Sequence, residues 1–146
     1  MIKQRNYKDC GICSLAMLLD KQYHVINKDV RSLHKIKSPN KKFDGIDDTI
    51  EQMIAWKHGF KFKTHVDIDW KFDFKKGYWA KVAGKKYNIK KLVGNKKSIL
   101  SVPSINFKGY GHCIYWDGEK LHDPSNLKRY TAKSAFKHAY RALVIE

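Results

Sequence analysis

Apolar positions along the first sixty residues recur at helical spacing. Ile12, Leu15, Ala16 and Leu19 fall on one face of a helix predicted over residues 10–19, with Asp9 as its N-cap candidate. A second, short helix is predicted from Asn27, carrying Val30 and Leu33 inward, and Ser38-Pro39-Asn40 breaks the chain after it. Ile46, Ile50, Met53 and Ile54 mark a third helix, favoured at its start by Asp47 or Asp48 and stopped at Gly59. From Phe60 the period changes to two. Phe60, Phe62, Thr64 and Val66 alternate with Lys61, Lys63 and His65, as one buried and one wet face of a strand require.

Residues 70–97 read as short strands and loops. Glycines at 77, 84 and 94 interrupt a lysine-rich run interleaved with Phe72, Phe74, Tyr78, Trp79 and Tyr87. Further strands are predicted over 98–102, 113–116, 120–122 and 142–145, with a two-residue turn at Asp117-Gly118 and a short helix capped by Thr131. Helices first and mostly antiparallel strands later give an α+β fold in one domain. A helical lobe over about 1–66 packs on a β-rich lobe over about 67–146, with the helix that carries Cys10 lying against the sheet that carries His112.

Charge narrows the partners. Thirty Lys and Arg against 14 Asp and Glu leave +16, a field that draws anionic partners and weakens with salt. Arginine occurs only at Arg5, Arg31, Arg129 and Arg141, and arginine is the residue suited to bidentate base and phosphate recognition, so sequence-specific nucleic-acid reading is disfavoured. Nucleic acid, membrane phosphate or an acidic protein could answer this charge, and an acidic stretch on a peptide or protein partner is expected to be drawn to Lys75, Lys76, Lys85 and Lys86. A nucleic-acid-binding module without activity is the alternative, since lysines interleaved with aromatic rings also suit a single strand. Three cysteines cannot all pair within one chain, which favours a reducing, cytoplasmic setting. No apolar run precedes Cys10 and no stretch is long enough to span a bilayer, so neither signal peptide nor membrane span is expected.

The chemistry concentrates at two places. Cys10 opens the first helix, where free N–H groups lower a thiol's pKa from about 8.5 towards neutrality. Gln4, six residues earlier, supplies a neutral amide suited to an oxyanion. Far along the chain, Gly111-His112-Cys113-Ile114-Tyr115-Trp116 starts a strand with His112 at its head, and Leu121-His122-Asp123-Pro124 ends its hairpin partner. Asp123 can then orient the His112 imidazole and stabilise its cation, with His122 or a nearby asparagine as alternatives. The candidate set is Cys10, His112, Asp123 and Gln4.

Two other readings compete for the cysteines. Cys10-Gly11-Ile12-Cys13 spells the C-x-x-C of a thiol oxidoreductase, but nine preceding residues leave little room for that fold's central strand. A zinc site from Cys10, Cys13, His112 and Cys113 is disfavoured further, because adjacent His and Cys do not readily face one tetrahedral ion. Cys113 alternates away from His112 on its strand and is expected in the core.

The N-terminal glutamine, the Asp9-Cys10-Gly11 run with Leu15 and Met17 on the helix that follows, and the later Gly111-His112 and Asp123-Pro124 together resemble the papain-like cysteine peptidase domain that processes bacteriocin precursors after double-glycine leaders. The resemblance covers nearly the whole chain, extending to Gly45-Ile46-Asp47-Asp48-Thr49-Ile50 and His58-Gly59-Phe60. It implies a papain-like fold, Cys10 as nucleophile, His112 as its base, Asp123 as orienter, Gln4 as oxyanion donor, and no metal or organic cofactor. Two departures stand out. The family has a small residue where Cys13 stands, and residues 70–97 are longer and more basic than its equivalent connection. With no transporter segment or ATPase motif beside it, the domain is expected to stand alone.

Overall fold

The computed structural model describes residues 1–6, 8–66, 70–73, 78–81 and 88–146. Lys75, Lys76, Lys85 and Lys86 lie outside the described residues. The elements in chain order are α1 (Cys10–Leu19), α2 (Tyr23–Lys37), α3 (Asp48–Lys57), β1 (Phe62–Val66), β2 (Trp70–Asp73), β3 (Tyr78–Lys81), α4 (Ile89–Val93), β4 (Ser98–Pro103), β5 (Gly111–Trp116), β6 (Leu121–His122), α5 (Ala132–His138) and β7 (Arg141–Ile145). The fold is α+β. Five strands form one antiparallel sheet in the order β1-β7-β4-β5-β6, and β2 pairs with β3 separately.

Both faces of the large sheet are covered. On one face Ile99, Tyr115 and Leu143 pack against Ile12, Leu15, Leu19, Ile26, Val30 and Ile54 of α1, α2 and α3. On the other, Leu100, Val102, Ile114, Trp116, Ala142 and Val144 meet Ile89 and Val93 of α4 and Ala135 and Ala139 at α5. Adjacent residues of β4, β5 and β7 therefore bury in opposite directions, which gives these strands near-continuous apolar runs instead of a wet face. Trp116 sets its ring edge-on to Phe136, 5.0 Å between centroids, and its indole N–H donates to the Gly94 carbonyl at 3.1 Å.

Several boundaries differ from those expected. α2 begins at Tyr23, not Asn27, and runs fifteen residues. Tyr23 and Ile26 extend the apolar stripe of Val30 back by two turns, while the Asn27 side chain accepts from Arg31 Nε within the helix at 3.2 Å and caps nothing. α3 starts as expected, with the Asp47 carboxylate accepting from Ile50 N–H at 2.9 Å. Within the basic stretch, Asn88 caps α4 through Lys91 N–H at 3.1 Å, and Ile89 and Val93 are buried. β1 pairs with β7, so the boundary near residue 66 falls inside one sheet and the two lobes share it.

The hairpin that leads to Asp123 also differs. The connection spans Asp117 to Lys120 and not two residues, because the Asp117 carboxylate accepts from the N–H groups of Glu119 at 2.8 Å and Lys120 at 2.7 Å. Its other oxygen takes His122 Nε2 at 2.7 Å. His122 also stacks on Tyr115, 5.4 Å between ring centroids. That pair closes the hairpin and removes His122 as a rival to Asp123. Among the described residues no helix is long and apolar enough to cross a membrane.

Candidate active site

Cys10 is the first residue of α1. The first intrahelical bond joins Cys13 N–H to Asp9 O at 2.9 Å, so the N–H of Cys10 lies outside the helical ladder. Asp9 sits at the N-cap position but does not cap. Its wholly buried carboxylate turns back and accepts from Arg5 N–H at 3.0 Å, Asn6 N–H at 3.3 Å and Tyr23 O–H at 2.9 Å. The loop before the helix leaves two N–H groups facing inward, and a buried carboxylate satisfies them where water cannot. Arg5 then lies over the Tyr23 ring, 3.9 Å from its centroid. Asp9 thus shapes the segment that follows Gln4.

His112 lies in β5, opposite Val102 of β4. Its Nε2 is 2.7 Å from Asp123 Oδ1. Asp123 is 5 % exposed and also accepts from Ser125 N–H at 3.0 Å and Tyr130 N–H at 2.8 Å. Burial alone raises the Asp123 carboxyl, but the hydrogen bond and charge of His112 and the two N–H groups outweigh it and hold the carboxyl below its ordinary value. Sequence gave no sign of these two backbone donors. Tyr130 is itself fixed by its hydroxyl, which donates to the Pro103 carbonyl at the end of β4.

Gln4 is tied down despite its place near the start of the sequence. Its N–H donates to Pro124 O at 2.9 Å, and Asn126 Nδ2 donates to its carbonyl at 2.8 Å. The side-chain Nε2 donates one hydrogen to Asn6 O at 2.9 Å, which fixes the orientation of the amide and leaves its second N–H.

Gln4, Cys10, Gly11, His112 and Cys113 line one cavity of about 530 Å³, walled by Ile46 and Tyr110. Asp123 stands behind His112, out of the cavity. The glycines beside the reactive residues permit close approach. A Cβ on Gly11 would fall 2.6 Å from Ile46 Cγ1, and one on Gly111 would fall 2.5 Å from the Tyr140 hydroxyl.

Cys113 departs from expectation. It alternates away from His112, but the side it faces is that of α1, where Ser14 Oγ donates to its carbonyl at 3.1 Å. It is half-buried, and its thiol is near enough to Cys10 to shift that thiol's pKa. Because helices cover both faces of the sheet, facing away from His112 means facing Cys10. Among the described residues no hydrogen bond joins Cys10 to His112; the two meet across the shared cavity.

That proximity separates the three thiols. The Cys113 thiol lowers the Cys10 pKa, burial opposes it, and the backbone N–H groups of Cys113 and Gly11 add to the lowering. Cys113 is pushed well up by Cys10 and by burial. Cys13, wholly enclosed in the core of α1, is pushed up to about 12 by burial and by the charge of Asp9. Iodoacetamide at about pH 6 to 7 is therefore expected to label Cys10 well before Cys13 or Cys113, since only the thiolate reacts. Peptide mapping after timed quenching reads the order, and equal rates at all three would remove Cys10 as an activated thiol. Comparison of the chain with family models, with curated proteins and with solved structures finds no match.

Proposed function

We propose that the chain is a papain-like cysteine peptidase of the double-glycine-leader type. The observation that carries this reading is the His112–Asp123 pair at 2.7 Å, set beside a cavity that Cys10 lines from the start of a helix. The papain-like reading of the α+β fold rests on the same arrangement, with the nucleophile helix packed across the sheet that bears the histidine.

In this mechanism Asp123 holds Nε2, so Nδ1 of His112 takes the Cys10 proton. The thiolate attacks the carbonyl carbon, and the C–O electron pair moves onto oxygen. The Cys10 N–H and the free N–H of Gln4 stabilise that oxyanion. As it collapses, the C–N bond breaks and His112 returns the proton to the leaving amine. Water, deprotonated by His112, then releases the acyl group from sulfur.

Small residues before the cut, most simply Gly-Gly, suit a site where Ile46 presses on the first turn of α1 and leaves little room beside the nucleophile. An acidic stretch elsewhere on the substrate suits the net charge of +16. The test is a peptide ending in Gly-Gly with a thiol-reactive vinyl group at its C-terminus. It is expected to modify Cys10 stoichiometrically, and a Val-Val analogue is expected to fail. Equal modification by both, or none by either, would sink the substrate assignment.

Gln4→Ala is expected to lower turnover by a factor on the order of 100, the cost of one oxyanion donor. Cys10 alkylation should be nearly unchanged, because Gln4 acts on the developing oxyanion and not on the thiol. Unaltered turnover would reduce Gln4 to an anchor for the loop at Pro124.

A further inference from the structure

We propose that Cys10 and Cys113 are a peroxide-reactive dithiol, closing reversibly to a disulfide that occupies the nucleophile. The inference rests on Cys10 being the activated thiol of the proposed peptidase, and it adds a modification site to it. Three observations carry it. The two thiols act on each other, Cys113 drawing Cys10 down and Cys10 pushing Cys113 up. Both residues line the same solvent-reaching cavity. And the backbones that bear them are already held together, by Ser14 Oγ on the Cys113 carbonyl at 3.1 Å and by Gly11, whose missing Cβ would sit 3.9 Å from Cys113 Sγ.

Cys13 is the rival partner, three residues along the helix in the C-x-x-C run. It is sealed in the core with no measurable exposure and does not line the cavity. Cys113 is half-buried, lines the cavity with Cys10, and its sulfur lies 3.9 Å from where a Cβ on Gly11 would sit. Disulfide formation requires a sulfur that can reach along the S–S axis, and the packing of the start of α1 on β5 brings Cys113 to the same cavity wall as Cys10.

The redox balance closes with a peroxide as oxidant. The Cys10 thiolate attacks one peroxide oxygen, the O–O bond breaks, and hydroxide leaves, to be protonated to water; Cys10 becomes a sulfenic acid. With no charge left on Cys10, its hold on the Cys113 proton is gone. Cys113 sulfur then attacks the Cys10 sulfur, the S–O bond breaks, and the hydroxyl leaves with the Cys113 proton as a second water. Two thiols have lost two electrons and the peroxide has gained them. A dithiol reverses the step by thiol–disulfide exchange.

The test needs no peptide substrate. The full chain is treated with a few equivalents of hydrogen peroxide, free thiols are blocked, and non-reducing digests are mapped by mass. Wild type and Cys13→Ser are both expected to yield a Cys10–Cys113 cross-linked peptide, with the intact protein about two mass units lighter. Dithiothreitol should restore both thiols. In Cys113→Ser the same dose should drive Cys10 to the sulfinic acid, which dithiothreitol does not reverse. A Cys10–Cys13 cross-link, or sulfinic Cys10 in wild type without any cross-link, overturns the proposal. A cross-link in a protein that cuts no peptide would leave the dithiol standing and the peptidase reading fallen; turnover without a cross-link would do the opposite.

Discussion

Cys10→Ala is expected to abolish turnover, with a loss on the order of 10⁶-fold in kcat, while substrate binding survives. Neither of the other two thiols is placed to replace it. The Cys113 thiol is held protonated by Cys10 and by burial, and Cys13 is enclosed in the core of α1. His112→Ala should lose nearly as much, since without a base the thiol proton has no acceptor placed to return it to the leaving amine. The double variant should be no worse than either single one, because residues that act as a unit are not additive. Single-turnover assays with a Gly-Gly peptide measure this directly. Multiplying losses would mean that Cys10 and His112 do not share a step.

Asp123→Ala is expected to cost on the order of 10³- to 10⁴-fold in kcat, together with roughly 3 kcal/mol of stability. The carboxylate is 5 % exposed and serves three partners: His112, Ser125 N–H and Tyr130 N–H. Alanine frees the imidazole to turn and leaves both backbone donors buried without an acceptor. Asn should fall between the two. Its amide oxygen can accept from His112 and Ser125, but its NH₂ then meets the Tyr130 N–H, donor against donor. pH offers a second readout. The folded-state pKa of Asp123 is lowered, so its contribution to stability is full above the unfolded carboxyl value of about 4 and disappears as pH falls through the folded value. Wild type should lose stability over that acid range more steeply than Asp123→Ala. Parallel denaturation midpoints for the two proteins across that range would show that the ion pair contributes nothing.

Sequence periodicity located most of what supports the site, because α1, α3, β4, β5 and β7 each carry an apolar pattern long enough to read. The start of α2 escaped because Asn27 looks like a cap while Tyr23 and Ile26, both before it, pack as helix residues. α4 escaped because five residues with two lysines among them carry no visible period. Strand alternation placed Cys113 correctly away from His112, yet gave the wrong neighbour, since alternation says nothing about which layer covers each face. The three acceptor bonds of Asp9 and the two backbone donors to Asp123 were not legible at all. They depend on loop conformations fixed by long-range packing, which no local spacing encodes.

The order β1-β7-β4-β5-β6 places β7 between β1 and β4. A nascent chain that has emerged only as far as Asp123, just past β6, already contains Cys10, His112, Asp123 and Gln4. It lacks the strand that joins β1 to β4, as well as Tyr140 and Arg141, which line the cavity. Gln4 also reaches Asn126 across 122 residues of chain, a closure made late in folding because it carries a large entropy cost. In this topology the proposed hydrolytic centre is assembled by β7, the last of the sheet's strands in chain order, so under that proposal a half-made or unfolded chain holds the reagents of proteolysis without the geometry to use them on its neighbours.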